Sequence, residues 1–275
     1  MTLFDGFRFD GKRVVVVGGA TGMGAAAAEL ALDAGAEVVV MDYAEVTLAG
    51  AKAIHVNLAD KASIDAAADE CGGPVDALLS CAGVADGTPG IERINFIGHR
   101  HMIDRMVAAG SLRRGSAIGF ISSAAGLGWE RELEPLKELL AIPDFDGAVA
   151  WTQEKGWADY MHMKQAICAY VASQAFPLLQ QGIRINAICP GPTETPLALA
   201  NKDMWLGFGA DYRAAAGVEA STPLEQAYPL LFLCSEAAAA INGITMITDA
   251  GYMMSGVSGS FPDATGAANF LLGRY

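Results

Sequence analysis

A glycine-rich turn between an apolar strand and a helix constrains the fold of this chain more than any other feature. Residues 13–17 read Arg-Val-Val-Val-Val, a β-branched run typical of a parallel strand that is buried on both faces. Residues 18–24, Gly-Gly-Ala-Thr-Gly-Met-Gly, follow at once, and residues 25–34 then predict a helix that ends at Gly35. Free N–H groups at the start of such a helix bind phosphate, so the turn predicts a dinucleotide site.

The three spaced glycines of this turn have separate roles in the prediction. Gly18 allows the tight turn, Gly22 lets the backbone approach a pyrophosphate, and Gly24 lets the helix pack closely on the strand. Thr21 and Met23 lie between them and are predicted to line the same site. The spacing Gly-x-x-x-Gly-x-Gly differs from the Gly-x-Gly-x-x-Gly fingerprint, so a purely structural turn is the alternative interpretation.

An acidic residue follows the second predicted strand, residues 37–41. Asp42 lies 24 residues after Gly18, where a carboxylate accepts hydrogen bonds from an adenosine ribose and repels a 2′-phosphate. No Arg or Lys lies within the glycine turn or directly after Asp42 to bind such a phosphate. The sequence therefore predicts NAD rather than NADP, against the alternative that Asp42 is a solvated residue that begins a turn.

Short apolar strands alternate with helical segments along the rest of the 275 residues. The composition is rich in Ala, Gly and Val with modest charge, as expected of a parallel sheet covered by helices on both faces. We therefore predict an α/β fold, a Rossmann-type doubly wound parallel sheet in a single domain over residues 1–275. The further predicted strands are residues 53–56, 75–80, 116–121, 183–188 and 244–247, and the further helices are residues 63–71, 91–109, 132–140, 158–179 and 223–235.

Two details of this element pattern are also predicted. The segment between Asp42 and the next strand is too short for a full crossover helix. Pro177 is expected to kink or end the helix of residues 158–179, since proline lacks the N–H that continues a helix.

The charge and the cysteines argue against several classes of protein. A formal net charge of -13 argues against nucleic acid and anionic membrane surfaces as partners, since both require clustered Lys and Arg. No apolar stretch is long enough to predict a membrane span, and the N-terminus lacks the apolar core of a signal peptide, so a cytoplasmic location is expected.

The cysteines are expected to be reduced and buried. His99, His101 and His162 are interpreted as surface or packing residues, and no metal site is predicted.

A tyrosine and a lysine lie about one helical turn apart, at Tyr160 and Lys164. At this spacing the two side chains share a helix face, so the ammonium can lie beside the phenol and favour its ionised form. The pair could transfer protons. Because the same spacing also occurs by chance on many helices, its meaning depends on the motifs around it.

Several motifs, in chain order, resemble the successive signatures of the short-chain dehydrogenase/reductase family. They are residues 18–24, Ser80-Cys81-Ala82-Gly83, Asn95, Ile121-Ser122-Ser123, Tyr160 to Lys164 and Pro190-Gly191-Pro192-Thr193-Glu194-Thr195, and together they cover nearly the whole chain. The resemblance implies a Rossmann sheet of seven parallel strands, a nicotinamide cofactor and a catalytic tetrad. The tetrad carries over onto Asn95, Ser123, Tyr160 and Lys164.

Each member of the tetrad has a role that the resemblance implies. Tyr160 would act as general acid/base on the substrate oxygen, and Ser123 would orient that oxygen by a hydrogen bond. Lys164 would lower the pKa of Tyr160 and bind the nicotinamide ribose. Asn95 would position a water that links Lys164 to solvent.

The same resemblance implies further contacts to the adenine, the ribose and the nicotinamide carboxamide. In chain order they are Asn57, Leu58, Cys81, Ala82, Gly83, Pro190, Gly191, Thr193 and Thr195. Three positions depart from the family pattern. Cys81 stands where Asn is usual, Val17 where Thr is frequent, and Asn57 where an Asp usually contacts adenine. The carbonyl of Asn57 can still accept a hydrogen bond from the adenine amine.

A long segment, residues 126–159, separates Ser123 from Tyr160 and is an insertion relative to the common family length. With the short link after Asp42, it resembles the branch that includes 3α-hydroxysteroid dehydrogenase/carbonyl reductases and coniferyl-alcohol dehydrogenases, which handle bulky ring-containing alcohols. A substrate lid is predicted over residues 196–222. Candidate substrate contacts are Trp129 and Trp151 in the insertion and Leu197, Met204, Trp205 and Phe208 in the lid.

The substrate contacts of the insertion and the substrate lid both have alternative interpretations. The tryptophans could pack a small core of the insertion itself, and the lid could be an ordinary amphipathic surface helix. The C-terminal tail, residues 252–275, is apolar, so it is expected to dock on a neighbouring subunit or over a pocket, or else to fray. The family resemblance implies a homodimer or homotetramer.

These features predict an NAD-dependent oxidoreductase that interconverts an alcohol and a ketone or aldehyde on a bulky, hydrophobic, ring-containing small molecule. One rival is a regulatory protein of the same fold that binds the dinucleotide without catalysis, although all four tetrad positions are filled. A second rival is an epimerase or dehydratase of nucleotide sugars, whose larger C-terminal substrate domain has no room in this chain.

Overall fold

Seven parallel strands form one sheet in the computed structural model, which describes residues 2–273. The strands are β1 (Arg13–Val17), β2 (Glu37–Asp42), β3 (Lys52–His55), β4 (Val75–Ser80), β5 (Leu112–Ile121), β6 (Arg184–Pro190) and β7 (Thr245–Thr248). Their order is β3-β2-β1-β4-β5-β6-β7, and every neighbouring pair is parallel. The predicted seven-stranded Rossmann-type sheet is confirmed.

Helices connect the strands and cover both faces of the sheet. They are α1 (Gly22–Asp33), α2 (Lys61–Cys71), α3 (Gly98–Ala108), α4 (Leu133–Ala141), α5 (Phe145–Lys155), α6 (Tyr160–Gln180), α7 (Pro196–Ala200), α8 (Lys202–Trp205), α9 (Ala210–Ala216), α10 (Pro223–Cys234), α11 (Tyr252–Ser258) and α12 (Thr265–Leu272). Within residues 2–273, no helix combines the length and the apolarity that crossing a membrane requires.

Two apolar layers enclose the sheet because its strands bury side chains on both faces. On one face Val16 of β1 belongs to a cluster with Ala27 of α1 and Leu230 of α10. On the other face Val17 belongs to a cluster with Met163 of α6. Successive valines of β1 therefore enter opposite layers, which is why the strand reads as a continuous apolar run.

The strand order reverses between β1 and β4, at the centre of the sheet. The chain leaves β1 toward β2 and later returns to the other side of β1 as β4. The N–H of Gly18 donates to the carbonyl of Met41 (2.8 Å), and the N–H of Cys81 donates to that of Val17 (2.8 Å). In open α/β sheets, ligands bind in the crevice outside the carboxyl ends of the strands at such a reversal of strand order.

The sequence predicted some of the segments that connect the strands correctly and others incorrectly. Residues 43–51 contain no helix, as predicted, whereas the insertion holds two helices, α4 and α5, rather than one. Of the two outcomes predicted for Pro177, a kink or the end of the helix, the second is wrong, since α6 continues to Gln180. Leu178 is buried in the core and holds this last turn in place despite the missing N–H of the proline.

The C-terminal segment packs on its own chain. Ala268 and Leu271 of α12 form a third apolar cluster with Ala124 and Leu127, which directly follow β5. Residues 252–273 therefore pack on their own chain, while Arg274 and Tyr275 lie outside the described residues.

Candidate active site

A cavity of about 540 Å³ opens at the carboxyl ends of β1, β2 and β4. The glycine turn after β1 forms one wall, and its backbone is too closely packed for side chains. Gly18 has φ +86°, and a Cβ there would lie 2.3 Å from the nitrogen of Ala82. A Cβ on Gly24 would lie 2.0 Å from the carbonyl oxygen of Gly18. These two positions therefore require glycine, as the motif predicted.

Helix α1 begins at Gly22 in the wall of this cavity. The residue that precedes it, Thr21, makes no side-chain hydrogen bond to the first turn. The first N–H groups of α1 are therefore not capped by the Thr21 side chain, and the positive end of the helix dipole attracts an anion. This cradle of glycines and helix N–H groups fits the pyrophosphate of a dinucleotide.

Asp42 ends β2 at the edge of the same cavity. Its Oδ2 accepts the N–H of Ala20 (2.9 Å), and its Oδ1 accepts the N–H of Ala44 (2.9 Å). The carboxylate is thus fixed between the glycine turn and the turn that follows β2. No Lys or Arg is among the described residues that line this cavity.

Most of the predicted cofactor residues come together here. Those that line this cavity are Gly18, Thr21, Gly22, Met23, Gly24, Asp42, Asn57, Leu58, Cys81, Ala82, Gly83 and Thr195. The side-chain oxygen of Asn57 accepts the N–H of Ala59 (3.0 Å), so one of its two lone pairs is used within the loop. The other remains for a ligand.

His99 supports this cavity from behind, a role that the sequence did not reveal. Its Nε2 lies 3.0 Å from the carbonyl oxygen of Ala82, and its side chain is buried against Phe120. Burial lowers the pKa of His99 to about 4, so the ring is neutral at physiological pH and Nε2–H donates to Ala82. His99 is a packing residue, as interpreted, and it also fixes the backbone beside the nucleotide cavity.

A second cavity, of about 460 Å³, adjoins the first. The two share five lining residues, which are Met23, Cys81, Gly83, Thr195 and Leu197. The second cavity is also lined by Ser123, Tyr160 and Lys164. A ligand that extends from the nucleotide cavity would therefore reach the three reactive side chains.

Tyr160 is the first residue of α6, and two carboxylates fix its position. Asp86 accepts the N–H of Tyr160 (2.7 Å), and Asp159 accepts the N–H of His162 (2.9 Å) as the cap of the helix. Burial raises the pKa of Tyr160 to about 12, although a hydrogen bond with Ser123 acts in the opposite direction. Burial of the phenol outweighs its neighbours, and the lowering of this pKa by Lys164 that the family resemblance implies stays a prediction.

Lys164 lies one turn further along α6, with Nζ 5.4 Å from the centre of the Tyr160 ring. The ammonium donates to the carbonyl oxygen of Ile121 (3.0 Å) and is almost completely buried. Burial lowers the pKa of Lys164 to about 8. The lysine thus links α6 to the end of β5 and can exchange a proton near neutral pH.

The two serines after β5 face different surroundings. Ser122 is buried, and its hydroxyl donates to the carbonyl oxygen of Lys164 (2.9 Å). Ser123 is partly exposed in the cavity, and its hydroxyl accepts the N–H of Ala125 (3.2 Å). Ser123 is therefore the more accessible of the two serines, and its role toward a substrate stays a prediction.

Asn95 lies on a π-helical turn (Arg93–Ile97) and is fully buried. Its Oδ1 accepts the N–H of Val84 (2.8 Å), and its Nδ2 donates to the carbonyl of Val84 (3.0 Å). The side chain therefore braces the loop that follows β4, beside Gly83. A Cβ on Gly83 would lie 3.5 Å from both Asn95 Oδ1 and Lys164 Nζ, so the two tetrad members are near neighbours.

The segment after β6 closes the second cavity. Its predicted cofactor residues, Pro190, Gly191, Thr193 and Thr195, all line it. The Thr195 hydroxyl accepts the N–H of Ala198 (3.1 Å) and so caps α7, while the Thr193 hydroxyl donates to the carbonyl of Gly191 (3.0 Å).

Residues 196–222, for which a lid role stays a prediction, contribute part of the wall of the second cavity. Leu197, Met204, Trp205 and Phe208 line it, and the Trp205 ring lies 5.0 Å from that of Tyr160. The lid is not one amphipathic helix but three short ones, α7 to α9.

The structure corrects the prediction for the two tryptophans of the insertion, since neither lines the second cavity. Trp151 meets Trp157 edge to face, with ring centres 5.6 Å apart, and Lys155 lies over it. Trp129 packs against the clusters around α6 and α12. The alternative, that the rings pack the insertion itself, describes Trp151 better, whereas Trp129 packs on the main core and on the C-terminal cluster.

Several cavity residues escaped the sequence analysis. Asp86, Met161, Phe270 and Leu271 also line the second cavity. Apolarity marked the two tail residues as candidates for docking, but nothing in the sequence placed them beside Tyr160. Among residues 2–273, no three His, Cys, Asp or Glu side chains are grouped so as to hold a metal ion.

Two family models match most of the chain between them. The model for short chain dehydrogenase matches residues 12–129, and the model for Enoyl-(Acyl carrier protein) reductase matches residues 139–253. The interval between these ranges lies within the insertion.

Individual proteins resemble the chain over nearly its full length. Coniferyl-alcohol dehydrogenase from a Pseudomonas species is 27% identical over 87% of this chain and 96% of that protein. The 3-alpha-hydroxysteroid dehydrogenase/carbonyl reductase of Comamonas testosteroni is 30% identical over 86% of this chain and 95% of that protein. The crystal structure of 3-alpha-hydroxysteroid dehydrogenase from Pseudomonas sp. B-0831 complexed with NADH aligns with a TM-score of 0.73 at 26% identity, covering 91% of this chain and 99% of that one.

Proposed function

This chain belongs to the short-chain dehydrogenase/reductase family of oxidoreductases, and on that premise we propose that it is an NAD-dependent alcohol dehydrogenase. Its substrate is a bulky, hydrophobic, ring-containing alcohol, which it interconverts with the ketone or aldehyde. The proposal rests above all on one observation: a largely apolar cavity lined by Ser123, Tyr160 and Lys164 adjoins the cavity that the glycine turn and Asp42 line. The same side chains would serve catalysis in either direction.

The chain's part in the reaction is to hold the substrate oxygen and to move one proton. When bound, the nicotinamide supplies the redox chemistry by accepting or returning a hydride. In oxidation the Tyr160 phenolate takes the proton of the substrate hydroxyl, and in reduction the Tyr160 phenol returns it to the carbonyl oxygen. The Ser123 hydroxyl donates a hydrogen bond to the same oxygen and orients it. The raised pKa of Tyr160 favours the phenol, which suits reduction at neutral pH.

Lys164 and Asn95 complete the tetrad behind Tyr160. We assign to Lys164 the ribose next to the nicotinamide and the return of protons to Tyr160, since its pKa of about 8 suits exchange near neutral pH. Asn95 would keep Val84 and Gly83 in place beside Lys164 and, with a water, would connect the lysine to solvent.

The preference for NAD is supported by Asp42. Its carboxylate is fixed at the edge of the nucleotide cavity, where it would accept hydrogen bonds from an unmodified ribose. A 2′-phosphate there would meet a negative charge and none of the Lys or Arg residues that normally compensate it.

The substrate class is supported by the walls of the second cavity. Met161, Leu197, Met204, Trp205 and Phe208 present apolar surface beside Tyr160. The relatives described above are named for coniferyl alcohol and for 3-hydroxysteroids, both ring-containing alcohols. We also propose that the protein is cytoplasmic and forms a homodimer or homotetramer, which light scattering after gel filtration would test.

A dehydrogenase assay with NAD tests the proposed function. We expect NADH to appear with coniferyl-type allylic alcohols or with 3-hydroxysteroids, and Tyr160→Phe to lower kcat by on the order of 10²–10⁴ while NADH still binds. The matched control is Tyr228→Phe, because Tyr228 is 54% exposed on α10 and does not line the cavity. NADH binding without turnover of any alcohol would instead favour a dinucleotide-binding regulator.

A further inference from the structure

The C-terminal helix α12 forms part of the wall of the substrate cavity. Phe270 and Leu271 line this cavity together with the lid residues Met204 and Trp205. Leu271 is 9% exposed and belongs to the apolar cluster around Leu127, whereas Phe270 is 63% exposed. Residues of the predicted lid and of the C-terminal helix therefore meet at the same cavity.

Two residues of the insertion hold this helix by its backbone. The guanidinium of Arg131 donates to the carbonyl oxygen of Phe270 (2.5 Å). Gly128 packs so closely that a Cβ on it would lie 2.2 Å from the carbonyl oxygen of Leu271. The hydrogen bond from Arg131 and the close approach of Gly128 lie at consecutive carbonyls in the last turn of α12, so a side chain at position 128 would have to displace Leu271.

Exposed apolar surface at the cavity shows where a ligand would bury most area. Met204 on α8 is 75% exposed and Phe270 on α12 is 63% exposed, and both line the same cavity. An apolar ring system that reaches beyond Tyr160 would cover these side chains, whereas a single small ring would not. The gain scales with the apolar area that the ligand removes from water.

We propose that the insertion serves as a dock for the C-terminal helix, and that Phe270 and Leu271 determine specificity by selecting alcohols with large, fused or linked ring systems. The inference rests on the proposed function and names the part of the substrate that the tail recognises. Gly128 and Arg131 are positioning residues, because they act through α12 and do not line the cavity. The insertion thus sets substrate size indirectly, although its tryptophans lie elsewhere.

The test compares two glycines of the insertion that differ in one respect. Gly128 and Gly156 have nearly equal positive φ angles, +69° and +73°, so alanine strains the backbone similarly at both. A Cβ on Gly156 would have nothing within 4 Å, whereas one on Gly128 would collide with α12. The readout is the ratio of kcat/KM for a 3α-hydroxysteroid to that for cyclohexanol.

We expect Gly128→Ala to lower this ratio by about tenfold or more, and Gly156→Ala to leave it within about twofold, since apolar pocket contacts discriminate by roughly 10–200-fold. Leu271→Ala and Arg131→Ala should lower the ratio in the same direction, and they provide the test if Gly128→Ala does not fold. The inference is overturned if cyclohexanol and the steroid are both oxidised and the ratio is unchanged in Leu271→Ala. If the native protein oxidises neither alcohol nor a coniferyl-type alcohol, the proposed function itself fails.

Discussion

The backbone N–H of Tyr160 donates a 2.7 Å hydrogen bond to Oδ1 of Asp86, an exposed residue of the loop that follows β4. The contact ties the first residue of α6 to the wall of the second cavity. It also holds a negative charge near the phenol. Burial is the largest cause of the raised pKa of Tyr160, and the charge of Asp86 acts in the same direction.

Asp86→Asn should therefore shift the pH dependence of alcohol oxidation to lower pH. The amide oxygen still accepts the N–H of Tyr160, but the like charge that opposes the phenolate is gone, so the pKa of Tyr160 falls. Alcohol oxidation needs the phenolate of Tyr160, so kcat/KM for oxidation should rise with pH as the phenol ionises. In Asp86→Asn this rise should occur at a pH lower by a few tenths to about one unit.

The control for this shift is Glu154→Gln, which removes one carboxylate from the exposed surface of α5. It changes the net charge of the protein equally but lies outside the cavity lining. Identical pH profiles for Asp86→Asn and the native protein would show that the charge of Asp86 does not reach the phenol.

Substitutions of the two serines after β5 should separate an effect on activity from an effect on stability. Ser123→Ala should lower kcat by on the order of 10²-fold or more, because it removes the hydroxyl that holds the substrate oxygen, and should change the free energy of unfolding little. Ser122→Ala should retain most of the activity but lose about 1 kcal/mol of stability, since it leaves the carbonyl of Lys164 without its 2.9 Å donor. Urea unfolding and steady-state kinetics measure both quantities. A larger kinetic loss in Ser122→Ala would reverse the assignment of the catalytic serine.

Local signals explain why the sequence predicted the sheet and the nucleotide cavity so closely. The valines of β1 mark a strand buried on both faces, and Gly18 and Gly24 are required by backbone contacts that the motif encodes within a few residues. Tyr160 and Lys164 meet because a helix brings residues four apart together. Such relationships need no knowledge of how distant segments pack.

Several contacts that escaped prediction join distant parts of the chain. Asp86 and Tyr160 are 74 residues apart, and Arg131 and Phe270 are 139 apart. No periodicity or spacing encodes such pairs, because they depend on how the insertion and the tail pack on the finished sheet. The tryptophans misled the prediction for the same reason, since a large aromatic ring is equally suited to a core and to a binding site.

His99 predicts that the native protein loses stability in mild acid. The pKa of His99 is about 4 in the folded protein and about 6.5 in an unfolded chain, so the folded state binds fewer protons between these values. The contribution of neutral His99 to the free energy of unfolding is fully present above about pH 6.5. It is lost as the pH falls toward 4, which lowers the free energy of unfolding by up to roughly 3 kcal/mol.

The variant His99→Gln should flatten this dependence, since the amide can still donate to Ala82 but does not titrate. Urea unfolding at about pH 7 and about pH 5 would measure the difference, with His55→Gln, on exposed β3, as the matched control. If His99→Gln lost as much stability between the two pH values as the native protein, another group would govern the acid response.

The proposed preference for NAD over NADP can be tested by a substitution of Asp42 that preserves the shape of the side chain. Asp42→Asn keeps an oxygen that can accept the N–H of Ala20 but removes the charge that repels a 2′-phosphate. We expect the ratio of kcat/KM for NADP to that for NAD to rise by about tenfold, because removing a like charge within a few Å of a phosphate is worth on the order of 1 kcal/mol in water and more where water is excluded. Glu45→Gln, three residues away and outside the cavity lining, controls for net charge. A native protein that already used NADP better than NAD would refute the proposed cofactor without affecting the roles of Tyr160 and Ser123, since the two sites depend on different residues.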